Sequence, residues 1–251
     1  MSAAPDKPVT RDAVLGGRVA LTQAQTGYRV SVDAVFLAAS VNAQNGDKVL
    51  DVGCGDGGAT LCLAWRAAEV RVHGIDFRED AIARCRTNIA ANEWSERVSA
   101  VPYDVAASPG AGLSESFDWV MSNPPYLPAS RMDQRKSDGV FDPATTENIP
   151  LAAWVSFMVG CAKDGGQLAL VHRADRIEEV LAALAETCGD INIFPLWPKD
   201  DVAAKRIIVI ARKAAFGPSC LHKGMVLHRK DGSFTSAAQA VLQDGVGLDL
   251  N

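Results

Sequence analysis

Lys48–Gly58 reads KVLDVGCGDGG. Its first half, residues 48–53, is a short run dominated by apolar residues, the pattern of a strand buried on both faces. Its second half places glycines at 53, 55, 57 and 58. Glycine lets the backbone turn tightly and pass close to a ligand. Helical spacing follows through Leu61, Leu63, Ala64 and Trp65. A buried strand, a glycine loop and a helix in that order make the opening unit of an α/β sheet.

The downstream chain repeats the alternation. Val70 to Ile75 reads as a second strand, Glu79 to Ala91 as a helix, and Val98 to Val101 as a short third strand. Phe117 to Ser122 reads as a fourth strand, and Leu151 to Ala162 as a helix after the turn-like Asn148-Ile149-Pro150. Gln167 to Val171, Ile191 to Leu196 and Arg206 to Ala211 are further strands, with a helix over Arg176 to Glu186. Alternation of this kind predicts a mostly parallel, doubly wound α/β sheet. The expected organisation is an N-terminal hairpin and lead-in helix over 1–45, a core domain over 46–215, and a C-terminal hairpin and helix packed on it over 216–251. Gly16-Gly17 marks the first hairpin and Asp231-Gly232 the last. Ser31 and Ser236 are the expected helix N-caps.

Bulk properties narrow the class. With 251 residues, 48% of them hydrophobic, the chain has enough material for one large core. No apolar run reaches the length of a membrane span, and Met1 to Thr10 lacks the apolar stretch of a signal peptide, so a cytoplasmic protein is expected. The six cysteines form no C-x-x-C pair, and neither a metal site nor a redox dithiol is expected. A net charge of −5 argues against coating nucleic acid by bulk charge. It leaves room for a local patch, because Lys205, Arg206, Arg212, Lys213, Lys223, Arg229 and Lys230 gather late in the chain.

Asn123-Pro124-Pro125-Tyr126 ends the fourth strand. Each proline lacks an N–H and fixes its own φ, and the residue before it is driven extended. An amide side chain, backbone carbonyls and an aromatic ring are thereby held together at a strand's C-terminal end. Such a constellation suits a planar group that carries an NH2. Asn123 offers its side-chain carbonyl, Pro124 its backbone carbonyl, and Tyr126 a stacking face. The polar stretch from Leu127 to Glu147 follows directly and is expected to be a substrate-facing lid.

The glycine loop has two readings on its own. Gly53, Gly55 and Gly58 satisfy G-x-G-x-x-G, and Asp76 ends the second strand where an acid holds ribose hydroxyls. Both features serve a nicotinamide dinucleotide and S-adenosylmethionine (SAM) alike. Asp51 and the D-x-G-x-G-x-G spacing resemble the SAM loop of class I methyltransferases, and Asn-Pro-Pro-Tyr resembles the motif of amino-methyltransferases. Gly27 to Ala39 (GYRVSVDAVFLAA), Leu15 to Val19 and the tail from Gly224 through Leu242 resemble the bacterial tRNA1(Val) adenine-N6-methyltransferase family.

That resemblance implies a seven-stranded, Rossmann-like class I methyltransferase sheet and a SAM-dependent methyl transfer to N6 of a tRNA adenine. Cofactor contacts are implied at Asp51, Gly53, Gly55, Asp76, Tyr103, Asp104 and Asn123. Substrate contacts are implied at Asn123, Pro124, Pro125 and Tyr126, with Asn123, Pro124 and Tyr126 as the catalytic set. Ser31 and Asp33 either border the cofactor's methionine end or simply cap a helix. Two other readings stay open at this point: a protein-glutamine methyltransferase, and a non-catalytic SAM-binding scaffold.

Overall fold

The computed structural model describes residues 8–26, 29–126 and 149–250. A hairpin of β1 (Val9–Val14) and β2 (Val19–Ala24) leads to α1 (Val32–Ser40). Then come β3 (Lys48–Val52), α2 (Gly58–Arg66), β4 (Arg71–Asp76), α3 (Glu79–Ala91), β5 (Val98–Pro102) and β6 (Phe117–Ser122). From residue 149 the described chain continues with α4 (Leu151–Cys161), β7 (Ala162–Arg173), α5 (Ile177–Leu184), β8 (Cys188–Trp197) and β9 (Arg206–Lys213). It closes with β10 (Cys220–Leu221), β11 (Met225–Val226) and α6 (Ser236–Asp244).

The main sheet runs β10-β8-β9-β7-β6-β3-β4-β5, with β11 also on β8. Strands β5, β4, β3, β6 and β7 are parallel, and β9 runs antiparallel between β7 and β8. Seven long strands were expected. Two more, of two residues each, are added on β8, which makes nine. Such short strands have no period to read, and they form because the edge of β8 offers them hydrogen bonds.

The central strands are buried on both faces, which is why they read as continuous apolar runs. Helices α1, α2, α3 and α6 cover one face, and Val49 points into that layer. Helices α4 and α5 cover the other, with Leu50 and Val52. All five parallel strands therefore end on the same rim, where a doubly wound sheet binds its ligands.

Three expectations about the ends of the chain need correction. Ser31 occupies the N-cap of α1, but its hydroxyl accepts no capping bond. The last helix is capped by Thr235, whose Oγ1 accepts from Ala238 N–H at 3.2 Å, so Ser236 is its first residue. The C-terminal hairpin is a tight turn with one bridge, His228 to Phe234, because Met225 and Val226 pair with β8 instead.

The N-terminal hairpin is fastened by two amide side chains that imitate a strand. Asn88 Oδ1 accepts from Thr22 N–H at 2.7 Å, and its Nδ2 donates to Thr22 O and Asp56 O at 2.9 and 2.8 Å. One turn later Asn92 makes the same two-way pair with Ala20. The edge of β2 is thus satisfied by α3 without a third strand. Asn88 is 1% exposed, so removing its amide leaves buried polar groups unpaired. Asn88→Ala is expected to cost about 2–3 kcal/mol in urea unfolding. A change within experimental error would show that the hairpin is held by apolar packing alone.

Candidate active site

The glycine loop lies at the C-terminal end of β3. Gly53 and Cys54 N–H both donate to Ile75 O, at 2.8 and 2.9 Å, which pins the loop to β4. Gly53, Gly55 and Gly57 have φ of +76°, +56° and +97°, a region that favours glycine. Packing adds a second demand. A Cβ on Gly53 would meet the Trp154 ring at 3.0 Å, and one on Gly58 would meet Val30 at 2.6 Å. Gly58 therefore serves the approach of the lead-in segment, where spacing alone suggested a ligand.

Asp51 is buried and accepts from Thr60 Oγ1 at 2.6 Å. Burial pushes its carboxyl up to about 7, with the Thr60 bonds pulling the other way. Asp56 could have faced solvent; it instead pairs with Arg84 at 3.0 Å and accepts from Ala24 N–H.

Asp76 stands at the end of β4, 5% exposed, and both its oxygens are engaged. Oδ1 accepts from the Arg78 N–H and Nε, at 2.9 and 3.1 Å. Oδ2 accepts from Gly55 N–H at 2.9 Å and Arg78 Nη2 at 3.1 Å. Arg78 thus holds the oxygens that a ribose diol would need. Next on the rim, Tyr103 hydroxyl donates to Ser108 O at 2.7 Å, and Asp104 Oδ1 accepts from Ala106 N–H at 2.9 Å.

The fourth-strand tetrad lies one strand away from the glycine loop. Val52 pairs with Ser122, so Asn123 emerges beside Gly53. Ser122 Oγ donates to Val52 O at 2.7 Å and accepts from Trp154 Nε1 at 3.0 Å, which locks this junction. Tyr126 hydroxyl donates to Asn123 Oδ1 and lies 3.2 Å from Asp33 Oδ2. The Arg206 guanidinium sits 4.8 Å from the Tyr126 ring centroid and bonds Asp33 Oδ2 through Nε at 2.9 Å. His172 meets the same ring edge-on, with centroids 5.6 Å apart. Burial, then the Arg176 charge, pushes His172 down to about 4, so its imidazole is neutral at neutral pH. Arg176 Nη1 donates to Tyr126 O at 3.3 Å.

Sequence reading missed Arg78, Trp154, His172 and Arg176, and named Arg206 only as one of a late group of basic residues. Arg78 reaches the rim from two residues beyond Asp76, and tertiary packing brings the others there. The residues expected to hold SAM line one rim in strand order: Asn123 on β6, Asp51 and Gly53 on β3, Asp76 on β4, and Tyr103 with Asp104 after β5. Carboxylates there match a diol and an exocyclic amine. Ser31 Oγ is buried without a hydrogen-bond partner among the described residues, beside Val30 against the glycine loop. An orphaned donor at that place fits a ligand's polar end. The lid expected over Leu127 to Glu147 lies outside the described residues.

Residues 28–146 match the family of the methyltransferase small domain. It is 36% identical over 100 residues to the tRNA1(Val) (adenine(37)-N6)-methyltransferase of Yersinia enterocolitica, covering 39% of each chain. With the enzyme of the same name from Pasteurella multocida it shares 27% over 164 residues, covering 64% of this chain and 67% of the relative. The chain thus spans about two fifths and two thirds of the length of these two relatives. Among solved structures, a predicted O-methyltransferase of Agrobacterium tumefaciens superposes with a TM-score of 0.71 at 22% identity, covering 86% of this chain and 98% of that one. A SAM-dependent O-methyltransferase of Thermotoga maritima gives 0.55 at 18%, covering 76% and 68%. These likenesses establish the class I SAM methyltransferase fold. Among the described residues, no helix is long and apolar enough to cross a membrane.

The raised Asp51 carboxyl predicts how stability follows pH. The folded state keeps this proton above the ordinary value of 3.8, so its contribution is full at low pH and is lost as pH rises towards 7. Asp51→Asn removes the titration. Its thermal midpoint should gain on that of the unaltered protein as pH is raised from about 4 to about 8. A difference that stays constant across that range would refute the assignment.

Proposed function

We propose that the protein transfers a methyl group from SAM to N6 of an adenine in tRNA. The observation that carries this reading is the meeting of Asn123 and Tyr126 at the end of β6, next to the glycine loop of β3. The printed names of the relatives support adenine N6 in tRNA as the target. A cytoplasmic location belongs to the same proposal.

An exocyclic amine is a poor nucleophile because its lone pair is delocalised into the ring. Asn123 Oδ1 and the Pro124 carbonyl, taking one N–H each, draw the nitrogen towards tetrahedral geometry. Tyr126 supplies a flat face on which the base stacks, worth about 1–3 kcal/mol. Pro125 stiffens the backbone between them. SAM, when bound, supplies a methyl on a positively charged sulfur, which is the electrophile. Positioning therefore dominates the protein's share of the work. No strong base is needed, because the nitrogen becomes acidic once it is alkylated. Asp76 is assigned the ribose, which requires Arg78 to release it, and Tyr103 with Asp104 the adenine end of the cofactor. Asp51 shapes the loop from beneath through Thr60.

The RNA needs positive charge despite the net −5. Topology supplies it locally. β8 is parallel to β7, and β11 pairs beside the C-terminal end of β8, so Lys199, Lys205, Lys223, Arg229 and Lys230 fall towards the proposed catalytic rim. Lys205, Lys223, Arg229 and Lys230 are exposed. Asp200 and Asp201 share the region and limit its charge.

Transfer of tritiated methyl from SAM to total tRNA, ribosomal RNA and protein fractions tests the proposal. Label in tRNA, recovered as N6-methyladenosine by mass spectrometry, is the expected result; label in protein glutamine would overturn it. Asn123→Ala should reduce turnover at least a hundredfold, the scale of losing a positioned polar group at a reacting centre, with SAM affinity nearly unchanged. Near-normal turnover in that variant would remove Asn123 from the chemistry. Neutralising Lys223, Arg229 and Lys230 together should weaken tRNA binding and lower the slope of log affinity against log salt by up to ~3. An unchanged slope would place the RNA elsewhere.

A further inference from the structure

We propose that Asp33 is a positioning residue that draws the Tyr126 hydroxyl away from Asn123 so that the substrate's amino group can take its place. The proposal rests on the reading of Asn123 as the acceptor for that amino group.

The Tyr126 hydroxyl has one proton and two acceptors within reach. It donates to Asn123 Oδ1, and Asp33 Oδ2 lies 3.2 Å away. Asn123 Oδ1 is the oxygen assigned to the incoming N–H. Without substrate, the tyrosine hydroxyl therefore occupies the acceptor that the reaction needs. An incoming amine must displace it, and a displaced hydroxyl in a part-buried place costs free energy unless it finds another acceptor. Asp33 is that acceptor. The Asp33 side chain is 11% exposed and charged groups accept more strongly than neutral amides, so the proton passes from one oxygen to the other by a small rotation of the hydroxyl. The ring itself stays where Arg206 and His172 hold it.

Arg206 completes the device. Its Nε bonds the same Asp33 Oδ2 at 2.9 Å while its guanidinium lies against the Tyr126 ring. The arginine thus holds Asp33 in place and packs against the tyrosine ring. α1 packs across β7 and β9, which brings the lead-in segment to the reacting end of the sheet. The lead-in aspartate that could have been only a capping residue is thereby given a task at the site.

The test is a pair of substitutions in two backgrounds. Asp33→Ala should lower kcat about tenfold, the scale of one lost hydrogen bond, with little change in KM or in SAM affinity by calorimetry. Asp33→Asn, which keeps a weaker acceptor, should fall between. In Tyr126→Phe no hydroxyl competes for Asn123, so adding Asp33→Ala to it should change kcat less than twofold. Equal losses from Asp33→Ala in both backgrounds would overturn the proposal, since Asp33 would then act through Arg206 or the fold. No loss in either background would overturn it too. The bond can also be read without turnover. With tyrosine labelled at Cζ, the Tyr126 resonance, assigned by its absence in Tyr126→Phe, should move in ligand-free Asn123→Ala as the hydroxyl passes to Asp33, and move again when Asp33→Ala is added; a resonance that Asp33→Ala leaves unmoved in that background would refute the bond. If the unaltered protein methylates no RNA, the functional reading fails while this resonance still decides whether Asp33 holds the hydroxyl.

Discussion

The parallel pairing of β3 with β6 is the constraint on which the candidate site depends. Both strands are buried on both faces, and their register sets Val52 against Ser122. The last residue of each strand is followed at once by its functional segment, the glycine loop on one side and the tetrad on the other. A slip of one residue would turn every side chain of β6 to the opposite layer. The Ser122 hydroxyl, bridging Val52 O and the Trp154 indole, adds a side-chain lock just where the ladder ends. Trp154 then closes over Gly53, leaving no room for a Cβ there. One junction therefore fixes the register, the loop and the emergence of Asn123.

Charge around this junction is arranged in pairs. Arg78 answers Asp76, Arg84 answers Asp56, and Arg206 answers Asp33. Paired charges cost less to bury than single ones, and each pair can open when a better partner arrives. Among the described residues Asp51 has no cation partner, and its burial raises its proton affinity. Asn123, Pro124 and Tyr126 border the place proposed for the amine, and the Arg206–Asp33 pair lies against Tyr126.

Much of this was legible in the chain. The strand–glycine–helix unit, the alternation behind it and the tetrad after Phe117–Ser122 all rest on local pattern, and Glu79–Ala91 and Phe117–Ser122 have the bounds their periodicity gave. What local pattern missed has a common cause. The two-residue strands on β8 have no period, and the Asn88 and Asn92 struts look like ordinary polar helix positions. Ser31 and Ser236 had the right residue type for caps, yet the neighbouring Thr235 took one cap and packing left the other hydroxyl unbonded.

The amino-acid sequence by itself determined the sheet, the loop conformation and the stiff end of β6, because hydrophobic period, glycine freedom and proline rigidity act between near neighbours. It could place Asn123, Pro124 and Tyr126 on one short segment, but not say what touches them. That was decided by tertiary structure. Asp33 and Tyr126 are 93 positions apart, and Asp33 and Arg206 are 173 apart. Such meetings follow from how α1 crosses β7 and β9, and through-space hydrogen bonding leaves no periodic trace along the chain.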